Sequence, residues 1–362
     1  MRGLEKFFVQ TRSSAIGIDV GNSSVKIVQL SKKKEGIFLT NYALAKIKNS
    51  DPLKGKNRFR IVGRILKKIK QELNWDIDEA NISVPLSSSL LTSVDFWATS
   101  NEEIDQLIQV EASKYIPIPL EEVIYGWKIV DTPPPAVKPE AVVKEDEKKA
   151  GEEKKKVVVV AVMKDVSRKY EEALSLGEVA VETLEVDVFS LARCLGREGK
   201  SSLILDFGEN SSNLVAALGR SPVLAKNIDL GSGKITDLMA HLLGVDAARA
   251  DKLKLEQGIN ITSMEIRDSI FALLENLKEE IVSMKESFNK DFPDSPVDEL
   301  ILVGGGAELK GLREHLEKET GIKIGQGAVF EEIILPEKIK GKLLLSSRSE
   351  EHTSELQSPN TI

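Results

Sequence analysis

The chain has 362 residues, of which 41% are hydrophobic, 30% charged and 5% aromatic, which predicts two or three folded domains and excludes a disordered or collagen-like chain. The formal net charge of −7 argues against a nucleic-acid-binding protein, whose surface needs a positive field. The single cysteine excludes an intrachain disulfide framework, and the lack of a signal peptide or an apolar run of about 18 residues predicts a soluble, cytoplasmic protein.

The first third of the chain alternates predicted strands and helices. Residues 15–30 form two β-branched runs around a Gly-Asn-Ser-Ser turn, a pattern that predicts a hairpin. Apolar residues at helical spacing from Phe59 to Leu73 predict an amphipathic helix. The other elements predicted here are strands at 38–47, 81–85 and 89–97 and a helix at 102–115.

Residues 132–156 are rich in proline and then almost entirely charged, so this segment is predicted to be a disordered loop. A strand at 157–163 follows at once, which indicates that the loop interrupts a domain. A helix at 167–176, a strand at 180–186 and a helix at 188–195 complete this half of the chain.

The strand-turn-strand pattern then recurs at residues 202–218. Three positions of the first hairpin align with three of the second: Asp19, Gly21 and Ser24 with Asp206, Gly208 and Ser211. An internal repeat of this kind indicates a duplicated structural unit. Further helices are predicted at 234–243, 246–257, 264–289 and 309–320, with a strand at 299–303. The alternation predicts an α/β protein.

Turns of glycine and small hydroxyl residues leave backbone N–H groups open to bind anions, phosphates above all. A carboxylate at the end of the preceding strand, as in Asp19 and Asp206, suits Mg²⁺ beside those phosphates. A single turn of this type is most simply a tight hairpin. Two aligned copies, together with Gly304, Gly305 and Gly306 after a strand, favour a clamp for a di- or triphosphate.

These three elements resemble the nucleotide-binding core of the actin, heat-shock chaperone and sugar-kinase superfamily. Asp19 to Lys26 and Asp206 to Asn213 resemble its two phosphate motifs, Leu302 to Leu312 its adenosine motif and 229–233 its connecting segment. The resemblance implies ATP and Mg²⁺ as cofactors, with Asp19 and Asp206 at the metal. The implied nucleotide-binding residues are Gly21, Asn22, Ser23, Ser24, Lys26, Gly208, Asn210, Ser211, Ser212, Gly231, Asp251, Lys254, Gly304, Gly305, Gly306 and Leu309.

Within this superfamily the chain resembles the PilM-like, FtsA-related family of type IV pilus assembly. The likeness lies in IGIDVGNSSVKIVQLSK near the start, EASKYIPIPLEEVIYGW (111–127) and EVDVFSLAR (185–193), and it covers roughly residues 8 to 335. It implies an α/β, two-lobed actin-like ATPase fold of duplicated ribonuclease H-like lobes with an inserted FtsA-type small domain. The implied domains are a first lobe core (13–86 and 161–200), an inserted domain (87–160), a second lobe core (201–235 and 296–347) and a helical subdomain (236–295).

The same resemblance implies a cytoplasmic ATP-binding scaffold recruited to the inner face of the inner membrane. Its implied partners are the N-terminal cytoplasmic peptide of PilN and the pilus inner-membrane platform and motor, with indirect membrane association, no nucleic acid, and an oligomer left open. Segments 89–96 and 111–118 are candidates for the peptide groove, and they are equally well explained as ordinary domain core.

Hydrolysis needs a group that positions water at the γ-phosphate, and no residue is assigned to this role. ATP is therefore expected to act as a structural or switching ligand with at most slow hydrolysis. Glu209 departs from the family pattern, because a carboxylate beside phosphates costs energy unless a cation offsets it; its side chain is expected to turn outward. The alternatives are an FtsA-like membrane-associated filament protein and a small-molecule kinase of the same superfamily.

The end of the chain differs from the rest in having no apolar periodicity. The run from Arg348 to Ser358 resembles the translation of a common sequencing adapter, so residues 348–362 are interpreted as a non-native tail that replaces the natural C-terminus.

Overall fold

The computed structural model describes residues 14–21, 24–47, 57–98, 100–130, 153–325 and 333–336. The tail at 348–362, and the predicted loop at 132–156 up to residue 152, lie outside the described residues. None of the helices in these ranges is long and apolar enough to cross a membrane.

The predicted alternation of strands and helices is present along the chain. The strands are β1 (Ser14–Val20), β2 (Ser24–Lys33), β3 (Gly36–Lys46), β4 (Glu79–Val84), β5 (Ser89–Ala98), β6 (Val123–Ile129), β7 (Glu153–Met163), β8 (Ala180–Val186), β9 (Ser201–Phe207), β10 (Ser212–Leu218), β11 (Ser221–Ile228), β12 (Glu299–Val303), β13 (Ile324–Gly325) and β14 (Ile333–Ile334). The helices are α1 (Asn57–Leu73), α2 (Asn101–Tyr115), α3 (Lys164–Leu176), α4 (Asp187–Leu195), α5 (Ser232–Leu243), α6 (Ala247–Gln257), α7 (Met264–Asp291) and α8 (Leu312–Thr320).

Two of the sheets share one topology. The first has the order β14-β3-β2-β1-β4-β8 and the second the order β11-β10-β9-β12-β13. In the first sheet β1, β2 and β3 pair antiparallel in that order, and β1 also pairs in parallel with β4. In the second sheet β9, β10 and β11 pair antiparallel in the same way, and β9 also pairs in parallel with β12. The sequence repeat therefore belongs to a five-stranded arrangement that both sheets share, and β14 is an additional edge strand of the first sheet.

The contacts divide the chain into two compact units. The first unit holds 1–88, 162–187 and 328–362, and the second holds 89–161 and 188–327. This division differs from the expected domain limits, because 188–200 lies in the second unit and β14 completes the first sheet. The physical reasons are local: Gly196 lies against the backbone of Gly219 and Arg220, and the two isoleucines of β14 pair with Ile37 and Phe38.

In the first unit, α1 packs on α3 beside the sheet. Val62, Leu66 and Ile69 of the predicted apolar stripe are buried, as are Ile16, Ile18 and Val20 of β1. Alternate residues of β1 thus face this core, which leaves the other face and the strand ends available for chemistry.

In the second unit, the long helix α7 supplies the largest part of the core. Its predicted stripe is buried in full: Ile270, Leu274, Leu277, Ile281, Met284 and Phe288. The stripe belongs to the same core as Leu203, Leu205 and Phe207 of β9, the strand that leads into the second predicted phosphate turn.

Strands β5, β6 and β7 form the third sheet in the order β5-β7-β6, with α2 packed against it. The sheet and helix have their own core, yet they also join the second unit: Ser93 Oγ donates to Val223 O at 2.5 Å, and Val130 and Val158 belong to the core that contains α7. Lys156 strengthens this junction. Its ammonium lies 3.2 Å from Asp95 Oδ1 and 2.9 Å from Asp291 Oδ2. It also lies 5.1 Å from the centre of the Phe292 ring, at the C-terminal end of α7.

Candidate functional site

The first predicted phosphate turn joins β1 to β2. The antiparallel register places Lys26 opposite Asp19, and Lys26 Nζ donates to Asp19 Oδ2 at 3.0 Å. Both side chains are about half exposed, at 58% and 46%. Gly21 and Ser24 flank the turn, whereas Asn22 and Ser23 lie outside the described residues. The hairpin thus presents an exposed charged pair, in which Asp19 contacts a lysine of the same hairpin.

Arg58 at the start of α1 lies behind this turn. Its guanidinium donates to Val20 O at 3.0 Å and to Gly21 O at 3.2 Å. Arg58 therefore fixes the orientation of the carbonyl groups of Val20 and Gly21, which lead into the turn. Sequence reasoning missed Arg58, whose only signal was its place within a run of basic residues.

Two further polar residues lie at this edge of the first sheet. Asp187, the first residue after β8, accepts a hydrogen bond from the backbone N–H of Leu86 at 3.1 Å. Burial raises the pKa of Tyr170 to about 12; the positive charge of Arg58 opposes this rise, and the carboxylates of Asp19 and Asp187 add to it. These groups therefore share one electrostatic environment at the carboxyl ends of parallel strands, where ligands bind in open α/β sheets.

The second predicted phosphate turn joins β9 to β10. The register places Asn213 opposite Asp206, the position that Lys26 holds in the first hairpin. Asn213 Oδ1 accepts a hydrogen bond from Asn227 at 2.7 Å. Ser212 is buried and its hydroxyl donates to Leu230 O at 2.5 Å, so this predicted phosphate ligand already has a partner in the protein.

The start of α5 packs directly on this second turn. The backbone N–H of Ser232 donates to Gly208 O and that of Gly233 donates to Glu209 O, both at 2.8 Å. A side chain at Gly231 would overlap the backbone of Glu209 and Asn210. The predicted residues Gly208, Asn210 and Gly231 are therefore together, and the glycine is needed for this close approach.

The glycine triplet after β12 also lies against this turn. Gly304 has a φ of 88°, and a Cβ there would overlap Asp206 Oδ1 and lie 2.7 Å from Phe207 O. Gly306 faces the Phe207 ring, whereas a Cβ on Gly305 would meet no described atom within 4 Å. Leu309 is buried in the core and so supports the triplet from behind.

Lys254 of α6 is buried, with only 4% of its side chain exposed. Its ammonium donates to Thr236 Oγ1 at 2.8 Å and to Ser232 O at 3.3 Å, and it lies 2.8 Å from Asp251 Oδ1. Lys254 and Asp251, both implied as nucleotide-binding residues by the resemblance, therefore form an ion pair with each other. Their described contacts hold the first turn of α5 in place.

The described residues contain no group of three or more histidine, cysteine, aspartate or glutamate side chains that could hold a metal ion. Asp19 and Asp206 belong to different units. A metal at either turn therefore needs oxygen ligands from elsewhere, such as phosphate and water, which is the usual coordination of Mg²⁺ with nucleotides.

The two peptide-groove candidates are largely built into the small-domain core. Phe96, Ala112 and Ile116 are buried, and Tyr115 packs edge-to-face on Phe96 with ring centres 5.9 Å apart. In contrast, Val110 on α2 is 80% exposed and Ile124 on β6 is 53% exposed. The exposed apolar surface of this domain thus lies mostly beside the two candidate segments.

A family model described as type IV pilus assembly protein PilM matches residues 17–353. The chain belongs to this PilM family. Among solved structures, the PilM-family chain is similar to one described as a PilM–PilN type IV pilus biogenesis complex, with 22% identity, a TM-score of 0.72, and coverage of 92% of this chain and 94% of that chain.

Two further solved structures are more distant from this PilM-family chain. Ethanolamine utilization protein EutJ from Carboxydothermus hydrogenoformans has 13% identity and a TM-score of 0.49, with 89% and 88% of the two chains covered. MreB5 of Spiroplasma citri bound to AMPPNP has 11% identity and a TM-score of 0.49, with 93% and 99% covered. The family match and the likeness to the PilM–PilN structure confirm the predicted α/β, two-lobed actin-like fold.

Proposed function

We propose that this chain is an ATP-binding cytoplasmic scaffold of the type IV pilus inner-membrane assembly complex, which binds the N-terminal cytoplasmic peptide of PilN. Family membership supports the role in pilus assembly. The similar structure described as a PilM–PilN complex supports the choice of partner. Binding to a membrane-anchored partner would bring the chain to the inner face of the inner membrane and to the platform and motor of the pilus.

The single observation that carries the nucleotide part is the duplication of the hairpin. In both sheets an aspartate is the penultimate residue of the first strand of the hairpin, a glycine-containing turn follows, and five strands have the same order. Such turns present backbone N–H groups to phosphates. In the second unit Gly208, Gly231 and Gly304 let the turn, the start of α5 and the glycine triplet pack closely together, because a Cβ at any of the three would crowd protein atoms.

Each turn offers one carboxylate to the expected Mg²⁺, Asp19 in the first and Asp206 in the second. Asp19 contacts the ammonium of Lys26, and Asp206 Oδ1 lies so close to Gly304 that a Cβ there would overlap it. When bound with nucleotide, Mg²⁺ would offset phosphate charge. Asp206 would hold it directly or through water, and Lys26 would contribute a positive charge for phosphate at the first turn.

Calorimetric titration tests this proposal in two steps. ATP with Mg²⁺ is titrated into the full chain, and a synthetic peptide of the PilN N-terminus is then titrated with and without nucleotide. Saturable binding of both ligands is expected, with slow steady-state phosphate release. Brisk phosphate release that disappears in Asp206→Ala would contradict a scaffold role, and the absence of any peptide binding would remove the assigned partner.

A further inference from the structure

The two duplicated turns have the same backbone plan and different charges. In the first hairpin Lys26 lies opposite Asp19 and contacts it at 3.0 Å. In the second hairpin the register partner of Asp206 is Asn213, which is neutral. The lysine that balances the first turn therefore has no counterpart at the same register position of the second.

Glu209 adds a second carboxylate to the second turn. Its side chain is exposed, as expected from the sequence, and is directed at the first turn of α5: Oε2 lies 3.5 Å from Ser232 Oγ, and a Cβ on Gly233 would lie 3.0 Å from Oε1. Its backbone oxygen accepts a hydrogen bond from Gly233 N at 2.8 Å, which ties Glu209 to the helix. The start of a helix favours a negative group, so this position stabilises the carboxylate.

This carboxylate stands in the turn whose N–H groups are proposed to receive phosphate. A metal-free polyphosphate bound at this turn brings several negative charges near the carboxylate of Glu209, and these like charges repel one another. A divalent cation bound to the phosphates reduces that repulsion. Repulsion of this kind depends on the metal state of the nucleotide more than on its base or sugar.

We propose that Glu209 makes nucleotide binding at the second turn depend on a divalent cation. Glu209 disfavours the metal-free polyphosphate and tolerates the Mg²⁺ complex, so it is a specificity-determining residue. This inference rests on the proposed function, namely that the chain binds ATP. It concerns the charge of Glu209 alone, and an isosteric amide removes that charge while keeping the shape of the side chain.

The test is the dissociation constant of ATP measured with excess Mg²⁺ and with EDTA, for the wild-type chain, Glu209→Gln and Glu279→Gln. Glu279 is exposed on α7, so its substitution removes the same charge at a position outside the turn. Glu209→Gln is expected to tighten binding in EDTA by about 5- to 20-fold and to change binding with Mg²⁺ by less than about twofold. Glu279→Gln is expected to leave both constants unchanged.

Thermal unfolding without nucleotide gives a second, independent measurement. Glu209→Gln removes the negative group at the start of α5 and is expected to lower the melting temperature by about 1–3 °C, with no such shift in Glu279→Gln. If the wild-type chain binds ATP but Glu209→Gln changes both dissociation constants equally, or neither, the inference is overturned and the proposed function stands. If the wild-type chain binds no ATP in either condition, the proposed function fails and this inference fails with it.

Discussion

Gly304 and Gly305 are adjacent glycines whose surroundings predict a large loss of stability for alanine at the first position and almost no change at the second. Gly304 has a left-handed φ of 88°, and its Cβ would overlap Asp206 Oδ1 and lie 2.7 Å from Phe207 O. At Gly305 a Cβ would meet no described atom within 4 Å. Comparing the two alanine variants therefore separates the effect of replacing a glycine from the effect of a clash with the second turn.

The magnitude for Gly304→Ala follows from two contributions. Gly304 has φ 88° and ψ 169°, a conformation essentially restricted to glycine, which costs an alanine roughly 1–3 kcal/mol, and forcing apart the crowded groups costs about 1–2 kcal/mol more. We expect a loss of about 2–5 kcal/mol in the free energy of unfolding and, at about 2–4 °C per kcal/mol for a unit of this size, a melting temperature lower by roughly 4–20 °C. Gly305→Ala is expected to change stability by less than about 0.5 kcal/mol.

The assay is urea unfolding followed by circular dichroism, together with ATP titration of each folded variant. Gly304→Ala displaces Asp206 and is expected to weaken ATP binding at least tenfold, roughly 1.4 kcal/mol. Gly305→Ala is the control for stability alone, because the resemblance also implies Gly305 as a nucleotide-binding residue. Equal losses of stability in the two variants would refute the reasoning, because it depends on contacts that only Gly304 makes.

Three further predictions use other parts of the molecule. Lys156→Met removes an ammonium group that contacts two aspartates and belongs to a side chain only 11% exposed. Urea titration should show a free energy of unfolding lower by about 1–2.5 kcal/mol. The control, Lys154→Met, changes a more exposed side chain and should lower the free energy of unfolding by less than about 0.5 kcal/mol. Burial lowers the pKa of His315 below its usual 6.5. As pH falls below 6.5, the imidazole is therefore protonated more readily in the unfolded chain than in the folded one, and the free energy of unfolding decreases. His315→Phe should keep the stacking on Phe271 and make the free energy of unfolding depend less on pH between about 7 and 5. Arg58→Gln frees the carbonyls of the first turn and should weaken ATP binding by about tenfold in calorimetry, with an unchanged constant counting against the role assigned to Arg58.

The elements with strong periodicity were predictable from the sequence. The hairpin repeat, the stripes of α1 and α7 and the strand β12 are confirmed, because their apolar residues recur at the spacing that the structure buries. Strand β11 was missed because Pro222 breaks the strand pattern, and the structure places that proline where the register shifts beside Ala217.

The site was predictable only in part. Aspartates and glycines of the two turns carry a local signal, whereas Arg58 and Asp187 reach the first turn from distant parts of the chain. Likewise, the approach of Gly231 to Glu209 depends on how α5 packs on the turn. Single-sequence patterns contain spacing along one element and do not contain distances between elements, so these contacts required the fold.

Because β14 lies late in the chain, it affects the order in which the two sheets can be completed during synthesis. The strands of the second sheet are all present once residue 325 has been made, whereas the first sheet waits for Ile333 and Ile334 to pair with β3. Domains usually fold in the order of their synthesis, from the N-terminus onward. Here the sheet that begins the chain is completed after the second sheet, and the edge of β3 at Ile37 and Phe38 stays open to other strands until β14 has been made.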